Sequence, residues 1–169
     1  MIKPSPGLIW RIITKKTALS LCLASVIALP GLVQAKSLTL TTKLKSYDGD
    51  GAYLAFYVTD AQGAYQKTLW VSGKKAKYYK HLRDWARASG SRPGEFDGIS
   101  GASVGSGRTL TVTVDLADTL MDAGYEIRVD SAVEDGRDNP ADVRVPLTTS
   151  GLGKPSAGRG YIESFRYDM

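Results

Sequence analysis

The chain has 169 residues, with 22 Lys and Arg against 17 Asp and Glu, one His and one Cys. Most of the positive excess is N-terminal: Lys3, Arg11, Lys15 and Lys16 stand in residues 1–35 without an acid, leaving 18 basic against 17 acidic residues in the remainder. The near-neutral charge of that remainder removes the main support for a nucleic-acid partner, and with Cys22 in the leader it has neither a disulfide framework nor a thiol nucleophile.

The leader continues as an apolar run from Ala18 to Leu29, broken by Pro30 and Gly31 and followed by Val33-Gln34-Ala35, with small residues at the two cleavage positions. This is the pattern of a secretory signal peptide cleaved after Ala35. The run is shorter than the ~20 residues of an ordinary membrane span; an uncleaved anchor is the alternative. There is no Arg-Arg pair for a twin-arginine route. Cys22 follows Leu21 instead of the small residue a lipid-attachment cysteine needs. The predicted organisation is therefore a signal peptide over 1–35 and one periplasmic domain over 36–169, long enough to bury a core unaided.

Strict alternation dominates that domain, the signature of half-buried strands. Leu38, Leu40 and Leu44 face one way, and Thr39, Thr41, Lys43 and Lys45 the other. After the turn Asp48-Gly49-Asp50-Gly51, Leu54, Phe56 and Val58 form the next inward face. Asp60-Ala61-Gln62-Gly63 turns the chain into a strand from about Tyr65 to Val71, predicting a hairpin. A helix is expected from Ser72-Gly73 to Gly90, with Tyr78, Leu82, Trp85 and Ala86 as its apolar stripe and Lys74, Lys75, Lys77, Lys80, Arg83 and Arg87 opposite. A loop from Ser89 to Gly107 follows. Strands resume with Leu110, Val112, Val114 and Leu116 inward, then Tyr125, Ile127, Val129 and Val133. Glu134 to Asp142, containing Asn139-Pro140, reads as a polar turn before Val143, Val145 and Leu147. A Gly- and Ser-rich stretch from Ser150 to Gly160 leads to a last strand from Tyr161 to Tyr167. The predicted fold is mainly β: an immunoglobulin-like β-sandwich of about seven antiparallel strands with one inserted helix.

The loop between helix and strand holds Asp97-Gly98-Ile99-Ser100-Gly101-Ala102-Ser103, a D-x-x-S-G-A-S pattern. Gly101, Ala102 and Gly105 keep the surroundings of Ser103 small, and glycines let successive backbone N–H groups cradle a phosphate. Arg92 and Arg108 flank the loop and are placed to offset such a charge. No His or Cys lies near to activate Ser103, so it reads as the substrate of a modifying enzyme and not as a hydrolase nucleophile. The plainer reading is a Gly/Ser-rich connection in which Ser100 caps a turn and Asp97 bonds the backbone.

This pattern resembles the acceptor site of exported proteins that carry covalent FMN. Beyond the loop, nearly the whole domain resembles a periplasmic family catalogued as domain of unknown function 2271. The shared features are Ala55-Phe56-Tyr57-Val58-Thr59-Asp60, Thr68-Leu69-Trp70, Tyr78-Tyr79, Leu82 with Trp85, Ser100-Gly101-Ala102-Ser103, Gly124-Tyr125-Glu126-Ile127 and Gly160-Tyr161-Ile162. The chain departs from the family with Ser103 where Thr is usual and with Val104-Gly105-Ser106 where Pro-rich residues commonly follow. The resemblance implies a non-enzymatic electron-transfer protein whose FMN is joined through its phosphate to Ser103 by a separate flavin transferase. Asp97, Ser100, Gly101 and Ala102 complete the cofactor site, with Asp97 read by the transferase or helping to place its metal. Members stand beside flavin transferases and membrane proteins of the PepSY type, which implies a membrane redox partner. The alternative is a cofactor-free β-sandwich module that binds a partner or ligand through its helix and loops.

The remaining candidates point to ordinary structure. His81 lacks the neighbouring N or S ligands of a metal site. Asp48-Gly49-Asp50-Gly51 lacks the third acid and distal Glu of a calcium loop, and Glu134-Asp135-Gly136 with Asp138 reads the same way. The basic helix face is a solvated surface or a dock for acidic groups. Trp70, Trp85, Tyr78 and Tyr79 line a flavin or sugar site or pack the helix on the sheet. Neither the carboxylate pair of a glycosidase nor a P-loop is present.

Overall fold

The computed structural model describes residues 35–169; the signal-peptide reading of the leader falls outside them but for Ala35. Eight strands form two sheets. β1 (Ala35–Leu44), β5 (Thr109–Ala117) and β8 (Ile162–Asp168) make one, in the order β5-β1-β8. The other runs β4-β3-β2-β6-β7 and comprises β2 (Tyr53–Thr59), β3 (Tyr65–Ser72), β4 (Ser100–Gly101), β6 (Glu126–Ala132) and β7 (Asp138–Pro146). All pairings are antiparallel except the short β3–β4 pair. The expected mainly β, sandwich-like fold is what forms.

The alternating positions fill the space between the sheets. Leu38, Leu40 and Leu44 from β1 and Leu116 from β5 share one buried cluster with Leu54, Phe56 and Val58 from β2, Ile127 and Val129 from β6, and Phe165 from β8. Each such apolar side chain contributes ~1.5–3 kcal/mol by leaving water. Thr42 breaks the pattern: it is fully buried in β1 and its hydroxyl has no hydrogen-bond partner among the described residues.

β2 is buried along its whole length because its second face is covered too. Tyr53, Ala55 and Tyr57 meet Tyr79, Leu82 and Trp85 from the helical segment. That segment is not the single helix expected from Ser72-Gly73. Ser72 still pairs with Leu54 in β3, and Gly73 holds φ +139° with its Cα against Tyr53, where a Cβ would lie 2.0 Å from the ring. The chain then makes a 3-10 stretch from Ala76 to His81, kinks at Leu82, and only Arg83–Ser89 is α-helical (α1), closed by Gly90 in the left-handed conformation as the sequence indicated. The break changes the buried stripe. Tyr79, Leu82 and Trp85 recur at the spacing of three that a 3-10 turn presents to one side, whereas Tyr78 and Ala86 are only half-buried.

α1 has no side-chain cap of its own. Its N-terminal acceptor comes from the sheet: Asp130 in β6 accepts from the Trp85 N–H at 2.9 Å, while its other oxygen accepts from the Ala141 N–H at 2.7 Å and the Tyr57 hydroxyl at 3.0 Å. Asp130 is fully buried. Desolvation pushes its carboxyl above the usual range, against the pull of these three donors, and burial likewise raises the Tyr57 hydroxyl.

The stretch from Glu134 to Asp142 is a second correction. Only its first part turns; β7 already starts at Asp138 and runs through Pro140. A proline is tolerated there because the β6–β7 register slips between Val129 and Ser131, a bulge in which Ala141 takes φ 43° and bonds Asp130 instead of the ladder. Asp142, buried beside it, accepts from the Ser131 hydroxyl at 2.6 Å and the Ile162 N–H at 3.1 Å, tying β7 to the start of β8.

Candidate functional site

The loop carrying the D-x-x-S-G-A-S pattern is braced at two points. After α1 and a 3-10 turn at Pro93–Glu95, Ser100–Gly101 lies parallel to the end of β3, with the Val71 N–H on the Ile99 carbonyl at 3.0 Å and the Gly73 N–H on the Gly101 carbonyl at 2.8 Å. Val104 then exchanges backbone bonds with Ala52, at 2.9 and 2.7 Å. Ala102 and Ser103 are strung between these anchors, and both are exposed. Neither anchor was legible in the sequence, because Ser100–Gly101 is too short for any period and Val104 is a lone apolar residue.

Close backbone approach explains the glycines on either side. A Cβ on Gly101 would lie 2.8 Å from Cζ2 of Trp70, so the loop packs directly on the indole. Gly51, from the Asp48-Gly49-Asp50-Gly51 turn, has no room for a side chain either: its Cβ would lie 2.9 Å from the Ser103 Oγ. The turn weighed as a calcium loop is thus the floor beneath Ser103. The Ser103 hydroxyl makes no hydrogen bond with the described residues, and no acid or base activates it. His81 is engaged elsewhere, with its Nδ1 3.1 Å from Asp138, which also accepts from Arg83 at 2.7 Å. Among the described residues no three His, Cys, Asp or Glu side chains converge on a metal position.

Two clefts adjoin the loop. A larger one of about 550 Å³ runs along Lys67, Trp70, Glu95, Asp97, Ile99 and Asp115. A smaller one of about 470 Å³ lies between the loop and the 3-10 stretch, against Gly73, Lys74, Tyr79, Phe96, Ser100 and Ala102. Both fall in the ~300–1,000 Å³ range of small-molecule sites. Asp97, exposed, stands on the rim of both, whereas Ser100, Gly101 and Ala102 line only the smaller. Ser103, next in the chain after Ala102, lines neither cleft.

The flanking charges are unequal. Arg92 is committed to Glu95 at 2.7 Å. Glu95 also accepts from the Tyr65 hydroxyl, and this bond, then Arg92, holds its carboxyl below the usual range. Burial, then the bond to Glu95, pushes the Tyr65 hydroxyl up to about 12. Arg108 is exposed beside Gly105 and has no ion pair among the described residues. Of the aromatic candidates, Trp85 is core: fully buried, its indole N–H donates to Thr68 at 2.9 Å. Tyr78 lies under Lys77, whose ammonium is 4.6 Å from the ring centroid, and donates to Glu134. Trp70 lines the larger cleft, and Tyr79, which donates to the Gly73 carbonyl at 2.8 Å, lines the smaller.

A family model described as predicted periplasmic protein (DUF2271) matches residues 35–164. No curated protein and no solved structure matches the chain.

Proposed function

We propose, from the premise that the chain belongs to the family of predicted periplasmic proteins DUF2271, that it is a non-enzymatic electron carrier with FMN joined through its phosphate to Ser103 by a separate flavin transferase. The observation that carries the reading is the state of Ser103: an exposed residue between two backbone anchors, its hydroxyl without a hydrogen bond among the described residues, with Gly51 beneath it and Ala102 beside it. A transferase presenting a bulky dinucleotide needs that combination of access and fixed position. Bound FMN supplies the redox chemistry; the chain supplies attachment and surroundings. Exposed Arg108 is the free cation nearest in sequence for the phosphate, and Asp97, on the same loop, is available to the transferase or its metal. Cleavage after Ala35 leaves β1 paired from Lys36 onward, and export delivers the carrier to a membrane redox partner of the PepSY type.

Co-expression of the exported chain with a periplasmic flavin transferase tests this. The expected result is yellow colour, in-gel fluorescence and an FMN-sized mass gain that Ser103→Ala abolishes. An unchanged mass, or a gain that survives Ser103→Ala, refutes attachment at Ser103. The second reading, a cofactor-free binding module, draws on the larger cleft, whose lining does not include Ser103; it predicts an unchanged mass.

A further inference from the structure

We infer that the smaller cleft seats the isoalloxazine ring of a flavin tethered at Ser103, a reading that rests on the attachment proposed above. Position selects this cleft over the larger one. Gly101 and Ala102, the residues leading into Ser103, form part of its wall, whereas the larger cleft meets the loop only as far as Ile99. A ring swung back along the loop from Ser103 meets the smaller cleft first.

The lining suits a flat aromatic ring. Gly73, Ala76, Gly98, Gly101 and Ala102 contribute almost no side chain, so much of the surface is backbone. Tyr79 and Phe96 close it with aromatic groups held edge to face, 5.1 Å between centroids at 86°. Tyr79 is buried and fixed by its bond to the Gly73 carbonyl, so the wall is set before any ligand arrives.

The polar groups match as well. The parallel ladder with β3 takes up the carbonyls of Ile99 and Gly101, and its geometry turns the N–H and C=O of Ser100 away from β3. Ser100 is exposed and β4 is the edge of its sheet, so one backbone donor and one acceptor stand free at the cleft. The pyrimidine edge of a flavin carries the complementary set, an N3–H between two carbonyl oxygens. Lys74 adds an exposed ammonium at the same cleft, with no ion pair among the described residues. A cation beside the pyrimidine half favours the reduced ring, which bears negative charge there.

The test uses the full chain flavinylated in the periplasm. Mass spectrometry first establishes attachment, and collisional quenching of the bound flavin by iodide then reads the exposure of the ring. The wild type is expected to be quenched several-fold less than free FMN, and Ala76→Leu, which fills the cleft outside the attachment motif, to approach free FMN with its mass gain intact. A second comparison does not depend on tolerance of the larger side chain. Lys74→Gln is expected to lower the flavin midpoint potential, and Lys80→Gln, away from the cleft, to leave it unchanged. Normal attachment with quenching equal to that of free FMN, or equal potentials in the two lysine variants, overturns the seat and leaves Ser103 attachment standing. Absence of any mass gain overturns attachment, and the seat with it.

Discussion

Replacing Asp130 with Ala removes the acceptor for three buried donors at once: the N–H groups of Trp85 and Ala141 and the hydroxyl of Tyr57. Each orphaned donor costs about 1–3 kcal/mol, so the gross loss is about 3–9 kcal/mol. Against this, the variant no longer buries a carboxylate, which recovers part of that sum. A net destabilisation of about 3–5 kcal/mol is expected, the range for removing one partner from a buried charged network. That is a large share of the ~5–15 kcal/mol that holds a domain together. Asp130→Asn keeps one acceptor oxygen but turns an amide N–H toward a neighbouring donor, so it should lose about 1–3 kcal/mol. The pH dependence has a definite sign. The folded carboxyl is raised above its ordinary 3.8, so the native state binds more protons than the unfolded chain between the two values. Asp130 therefore contributes most below 3.8 and progressively less as pH rises through the folded value. Urea denaturation followed by circular dichroism and tryptophan fluorescence, at acid and neutral pH, measures both effects. A loss below about 1 kcal/mol for Asp130→Ala, or a wild-type advantage that grows with pH across that window, refutes the reasoning.

Thr42→Val removes a buried hydroxyl without a partner and should raise stability by about 1 kcal/mol, read as a higher urea midpoint at unchanged slope. Gly101→Ala forces a Cβ to within 2.8 Å of the Trp70 indole; it should cost about 1–3 kcal/mol and shift Trp70 fluorescence. Glu95 has a folded pKa below its ordinary 4.5. Its contribution is therefore present above 4.5 and lost as pH falls through the folded value, so the stability gap between wild type and Tyr65→Phe should narrow on acidification through that window. Ultraviolet difference titration should find a tyrosine ionisation at about 12 that is lost in Tyr65→Phe.

Periodicity carried the sheets. Leu38, Leu40 and Leu44 keep one parity along β1, with only Thr42 interrupting the apolar row, because a half-buried strand imposes a period of two on its own sequence. Where a second layer intervenes the rule weakens: Tyr53 and Tyr57 lie on the other face of β2, yet helix packing buries them as well. The helix was overestimated because Lys, Ala, Tyr and Leu are compatible with both α and 3-10 turns, and only the tertiary contacts of Gly73 and Leu82 divide them. Asn139-Pro140 looked like a turn because nothing local announces a bulge opposite Asp130. At the site, the loop and its small residues were visible. Its bracing by Ala52, its contact with Gly51 and its packing on Trp70 were not, since each joins segments far apart in sequence.

The clasp between Asp130 and Trp85 also bears on the order of assembly. Donor and acceptor are 45 residues apart, and a seven-residue helix without a local cap is too short to persist alone. During export the segment from Ala76 to Ser89 emerges well before β6 and has nothing to dock its N-terminus on. α1 therefore gains its N-terminal acceptor only once β6 has paired with β2, whereas Tyr79 packs on Tyr53 and bonds the Gly73 carbonyl, both supplied by the preceding segments. Under the proposed attachment, a flavin transferase acting on a chain still crossing the membrane would meet Ser103 before that clasp forms; one acting on the folded protein would meet it complete.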